Sequence, residues 1–204
     1  MKRISQLLTQ QPYYTLPDLA RILDLALPSA RVFACRKVKS GELIRARRNL
    51  YLLPQALKLS GGEELFRLAN VIQTPSHVSY LSALSFHGIS TQILLETVES
   101  SNPVRSKTYT VGSLSFRYYY CRPPYYFGYE RQKGYFLASP EKALLDCLYL
   151  ISLGRYALDQ GALDLKNIQW SLFEKNLKKY SPDVRQFCHQ WRKKYEGSTT
   201  TRRA

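Results

Sequence analysis

Between Ser29 and Asn49 the chain sets Arg31, Arg36, Lys39, Arg45, Arg47 and Arg48 a few residues apart. A guanidinium presents a planar fork of donors that fits phosphate oxygens or the acceptor edge of a guanine, and lysine adds a compact point charge. Such a series does polyanion chemistry: it neutralises phosphate and donates hydrogen bonds to the groups behind it. A plainer alternative stands beside this one, because short helices with basic outer faces are common and charge runs are often solvated surface. The elements that carry these residues separate the two readings.

Thr15 is placed to cap a helix, with Pro17 in the first turn and Asp18 complementing the positive helix end. Leu16, Leu19, Ala20 and Leu23 then recur at helical spacing. A second helix is predicted from Leu27-Pro28-Ser29, with Ala30, Phe33, Ala34 and Val38 as its apolar stripe and Arg31, Cys35, Arg36 and Lys39 turned away. Gly41 ends it. From Glu42 the period shifts towards two, through Leu43 to Arg47, then Arg48-Asn49 as a turn, then Leu50 to Leu53. Helix, helix, glycine and basic hairpin in that order make a winged helix-turn-helix. Its second helix fits the major groove, with Ser29, Arg31, Arg36 and Lys39 as candidate base contacts. Arg45, Arg47, Arg48 and Asn49 on the wing meet phosphate or the minor groove.

Composition agrees. Lys and Arg number 30 against 15 Asp and Glu, a net charge of +15, which favours polyanionic partners. The excess is split: residues 1–60 carry +8, residues 61–130 carry none, and residues 131–204 carry +7. The chain divides into a winged helix at 1–58, a second domain at 63–196 and a disordered basic tail at 197–204, with Leu59-Ser60-Gly61-Gly62 as the joint. No run approaches the roughly 18–20 apolar residues of a membrane span, and Met1-Lys2-Arg3-Ile4 leads into polar residues rather than a signal core. A cytoplasmic protein with no membrane partner is expected. Cys35, Cys121, Cys147 and Cys188 lie far apart, so reduced and mostly buried thiols are expected rather than a zinc site or disulfides.

The second domain reads as helices at Glu63 to Ile72 and Val78 to Gly88, then strands at Leu94–Glu99, Lys107–Val111 and Leu114–Cys121, the last two joined by Gly112-Ser113. Ser139-Pro140-Glu141 starts a helix that is apolar on most faces and belongs at the centre of the domain. Asn167 to Lys179 and Pro182 to Tyr195 close the chain as amphipathic helices. The fold class is α+β: an N-terminal winged helix-turn-helix followed by a mixed α/β domain with a small, mainly antiparallel sheet.

Helix geometry argues against a catalytic centre. Glu141 and Asp146 are about 140° apart around a helix and do not converge on one metal, whereas Lys142 and Asp146 share a face as a surface or packing ion pair. Glu130 adds no ligand spacing, nor do His77, His87 and His189. No enzyme, metal or cofactor is expected. A second binding surface has more support: Arg117, Tyr119, Arg122, Tyr125 and Tyr126 interleave cations with aromatic rings that can stack unpaired bases. Strand alternation requires one set of these tyrosines to build the core instead. The Pro123–Gly128 loop remains the candidate partner surface, and the alternative function is an RNA- or protein-binding module without sequence-specific DNA binding.

Several runs in order carry a family resemblance: Arg47-Arg48-Asn49-Leu50-Tyr51, Pro75 to Leu84 with His87-Gly88, Phe127-Gly128-Tyr129, and Ala138 to Asp146 with Leu148-Tyr149. Across roughly residues 5–155 the chain resembles the AbiEi family, antitoxins and transcriptional regulators of type IV toxin–antitoxin and abortive-infection systems. The resemblance implies a winged helix that binds inverted repeats in its own promoter on double-stranded DNA. It also implies a C-terminal domain that counteracts a nucleotidyltransferase toxin of the AbiEii type. The chain departs from the family's usual Arg-Gly-Leu-Tyr wing, having Asn49 at the glycine position, and it is shorter than many members after Tyr149. Asparagine tolerates the left-handed backbone such a turn needs.

Overall fold

The computed structural model of the chain describes residues 13–55 and 62–201. Met1 to Ile4, the rest of residues 1–12, residues 56–58 of the first expected domain, Leu59–Gly61 of the joint and residues 202–204 of the tail lie outside the described residues.

The first unit runs β1 (Tyr13–Thr15), α1 (Leu16–Ile22), α2 (Leu27–Lys39), β2 (Ile44–Arg47) and β3 (Leu50–Leu52). Its sheet has the order β1-β3-β2, antiparallel throughout. Thr15 caps α1 as expected: its Oγ1 accepts from the Asp18 amide at 3.3 Å, and the Asp18 carboxylate accepts the Thr15 amide at 2.9 Å. This reciprocal box satisfies two donors that a helix start would otherwise orphan. Leu16, Leu19 and Leu23 of the first helix stripe and Ala30 and Ala34 of the second are buried with Tyr14, Leu43 and Tyr51 in one cluster. Gly41 takes φ +74° after α2, and Asn49 takes φ +61° in the hairpin turn.

The second unit comprises α3 (Gly62–Ile72), β4 (His77–Val78), α4 (Tyr80–Phe86), β5 (Thr97–Asn102), β6 (Lys107–Val111), β7 (Leu114–Tyr120), β8 (Tyr129–Arg131), β9 (Phe136–Ala138), α5 (Pro140–Ser152), α6 (Trp170–Leu177) and α7 (Pro182–Thr201). Six strands order as β6-β7-β5-β4-β9-β8. The chain is α+β, but the sheet is larger and more mixed than expected. β4/β5, β6/β7 and β8/β9 pair antiparallel, while β4/β9 and the six-residue register β5/β7 are parallel. The Asn102 side chain shapes the turn that leaves β5: its Oδ1 accepts from the amides of Val104 and Arg105 and its Nδ2 donates to the Arg105 carbonyl.

Two further differences come from packing against neighbouring strands. Val78 was expected in a helix, yet it is fully buried in a central strand, paired with Ser100 and Leu137, and the helix starts at Tyr80. The strand expected at Leu94–Glu99 begins at Thr97 and ends at Asn102, because small polar side chains, Ser100 and Ser101, fit the crowded sheet centre while Ile93 and Leu95 stay outside. α7 extends to Thr201, into the 197–204 stretch expected as a tail.

α5 lies at the core as expected, with Ala143, Leu144, Leu145, Cys147 and Leu148 at 0 % exposure. Ser139 caps it, its Oγ accepting from the Lys142 amide at 3.2 Å. The β2–β3 hairpin joins this core: Ala46, Leu50 and Leu52 belong to the same buried cluster as Ala69, Ile72, Val111 and Tyr118. A β-bulge between Arg45 and Arg47 leaves Ala46 to point inward. Among the described residues no helix is long and apolar enough to cross a membrane.

Candidate nucleic-acid interface

α2 buries Ala30 and Ala34, and this fixes what it shows to the outside. At 100° per residue the middle of the outer face falls on Val32, Arg36 and Lys39, while Ser29 and Arg31 sit on opposite flanks, roughly 160° apart. All five are exposed. The structure therefore assembles Arg36 and Lys39 on one face and separates Ser29 from Arg31. Val32 was missed by the sequence reading, although it shares a stripe with Arg36 and Lys39. It keeps 50 % of its surface exposed, an apolar group among cations where a thymine methyl would find contact.

A groove of about 680 Å³ runs along α2, lined in part by Ser29, Val32, Arg36 and Lys37. Its one carboxylate, Glu42, is engaged by Lys37 at 2.7 Å and by the Ser40 hydroxyl at 2.7 Å. These donors hold the Glu42 carboxyl below its usual range. Lys37 is thus spent inside the protein. Arg31, Arg36, Lys39, Arg45 and Arg48 have no ion-pair partner among the described residues.

The hairpin tip is built by Arg48 and Asn49, both exposed, with Asn49 in the left-handed region. Arg45 and Arg47 are exposed on the same strand. They differ in one respect: Arg47 donates from Nη2 to the Val71 carbonyl of α3 at 3.4 Å. The first helix of the unit adds little charge, since its Arg21 is paired with Asp18 at 3.6 Å.

The second candidate surface is taken apart by the fold. Tyr125 is buried and stacks on Tyr180 at 4.2 Å, 20° from parallel. Tyr126 is half-buried, 4.9 Å from the His77 ring and 5.0 Å from Tyr129. Tyr119 donates to Glu99 at 3.0 Å and lies 4.7 Å from Tyr80. Arg117 and Arg122 stay exposed. The rings expected as stacking platforms hold the sheet to its helices.

Helical spacing paired Lys142 with Asp146, as the structure does, but did not reveal the buried polar cluster that the pair joins beneath that loop. Lys142 pairs with Asp146, and the Ser79 hydroxyl donates to Asp146 Oδ2 at 2.7 Å. The His77 ring stacks on Tyr129 at 4.4 Å, its Nε2 3.7 Å from Asp146, beyond hydrogen-bond reach. Burial keeps His77 below its ordinary pKa. Burial works the other way on Asp146, but the Lys142 ammonium, together with the adjacent His77 ring, outweighs it and the carboxyl lies below its ordinary value. Glu141 faces elsewhere, accepting the Gln169 amide at 3.0 Å and tying α5 to the segment before α6. A separate carboxylate, Glu99, is raised by burial even though Tyr119, Tyr156 and the Leu81 amide all donate to it. These groups are sealed in the core, and among the described residues both ring nitrogens of His77 lack a hydrogen-bond partner.

The chain matches no family model and no curated protein.

Proposed function

We propose that the first unit is a winged helix-turn-helix that binds double-stranded DNA, and that the chain is an autoregulator with an antitoxin role. One observation carries this reading. The outer face of α2 and the adjoining hairpin hold Arg31, Arg36, Lys39, Arg45 and Arg48 without a carboxylate partner among the described residues, and the one acid lining the α2 groove, Glu42, is already occupied. Cations left unpaired on a helix of 13 residues and a short hairpin are suited to phosphate and to guanine in the major groove.

In this reading Arg36, Lys39 and Val32 face base edges, Ser29 and Arg31 meet the two groove walls, and Arg45 and Arg48 neutralise phosphate. Inverted repeats in the chain's own promoter are the proposed target. The resemblance to the AbiEi family supports the antitoxin half, with a nucleotidyltransferase toxin as the antagonised partner. The chain acts by binding rather than catalysis.

The test is a salt-titrated gel shift on the chain's own upstream DNA against scrambled duplex of equal length. Preference for the upstream DNA that persists near physiological salt is the expected result. Equal binding that vanishes with salt overturns the sequence-specific reading.

A further inference from the structure

The segment before β5 leaves apolar side chains in solvent: Ile93 keeps 69 % of its surface exposed, Leu95 82 % and the neighbouring Phe86 46 %. They border a groove of about 360 Å³ between the start of α3, the end of α4 and residues 93–98, and no charged side chain lines it. Exposed apolar area here is on the order of a few hundred Å², the size at which a patch on a monomer tends to be functional.

Charge selects the occupant. The α2 groove is lined by Arg36 and Lys37, and a groove on α7 by Arg185 and Lys193. Two copies of a chain carrying +15 repel each other through either. Residues 61–130, which supply this third groove, carry no net charge. Around it Arg67 already engages Glu63 and Glu64, and Glu96 is exposed. Among the described residues no cation lines this groove for an anionic partner, whereas a second copy meets its least opposed approach.

We infer that this face is the self-association surface of the protein, a two-fold contact centred on Ile93, Leu95 and Phe86. A two-fold contact places the same patch on both copies, and the apolar centre fits the core of an interface of about 800 Å² per partner, with polar residues as its rim. An apolar centre this small gives modest affinity in solution. Two DNA half-sites would raise the effective concentration and complete the dimer. That last step rests on the DNA-binding reading; the contact itself does not.

The test is sedimentation velocity of the full chain without DNA, from low to high micromolar concentration in high salt, where charge repulsion is screened. The expected result is a rise towards twice the monomer mass that Leu95→Asp and Ile93→Asp each weaken by about tenfold or more. Both positions are exposed, and circular dichroism checks that the variants fold. A monomer at every concentration overturns the inference, and so does a dimer that both variants retain. The same variants on short duplex carrying one site are expected to keep the wild-type gel shift. Failure of the DNA reading would show there and leave the sedimentation result standing.

Discussion

Lys142 and Asp146 form an ion pair one turn apart on α5 that water does not reach, with side-chain exposures of 0 % and 1 %. Removing one partner leaves the other as an uncompensated buried charge. Asp146→Asn or Lys142→Met is therefore expected to cost about 3–5 kcal/mol in urea unfolding. The double replacement Lys142→Met with Asp146→Leu is expected to recover much of that loss, because no charge is then stranded. A double variant as unstable as either single one would show that the pair matters for shape rather than charge.

His77 gives the pH dependence a sign. Its pKa is depressed from 6.5 in the folded chain, so the unfolded state takes up a proton that the folded ring refuses. Stability from neutral His77 is full above pH 6.5 and falls as pH drops from there towards the folded value. Asp146 adds a further acid loss below 3.8, its ordinary value, while raised Glu99 works in the opposite direction. Comparing wild type with His77→Phe isolates the first effect. The variant's unfolding free energy is expected to be flatter between pH 7 and 5; parallel curves would assign the acid loss to other groups.

On DNA, Arg45→Ala and Arg48→Ala are each expected to lower the salt slope of binding by about one, on every sequence alike. Arg47→Ala is expected to change it less, because that side chain reaches back to Val71. Equal slopes for all three variants would place Arg47 on phosphate too.

Arg36→Ala is expected to reduce discrimination between upstream and scrambled duplex by about 1–3 kcal/mol, measured as the ratio of the two dissociation constants. Arg31→Ala, on a flank of the helix, is expected to weaken both duplexes together. The reverse pattern would rotate α2 in the groove.

The shared core is expected to make the two units unfold together. Leu50 and Leu52, each 1 % exposed, pack with the second unit from a strand of the first. Leu52→Ala is expected to cost about 2–5 kcal/mol and to lower a single calorimetric transition. Two separated transitions would mean that this contact contributes little.

The first unit was largely legible in sequence because its signals are local. A threonine cap with an aspartate three residues on, alternating leucines, a glycine stop and an asparagine turn each act within a few residues. The second unit was less so. β5 is built from Thr97 to Asn102, and buried serines look like a loop until neighbouring strands are known to crowd them. Lys142 and Asp146 were readable as neighbours on one helical face, but burial depends on β4, the 123–129 loop and α7's approach, none of which local spacing reports. Val32 was hidden by its type, since valine on a helix is ordinarily assigned to the core.

Ala46, Leu50 and Leu52 also bear on inheritance. Because the β2–β3 hairpin serves two cores at once, the N-terminal unit is expected not to transfer to another chain as a self-contained cassette. A chimera keeps its stability only if the incoming hairpin brings small and leucine-sized residues at those positions, or if β6 and α3 travel with it. Substitution is freer on the outer face of α2, where Val32, Arg36 and Lys39 are exposed and belong to neither hydrophobic cluster.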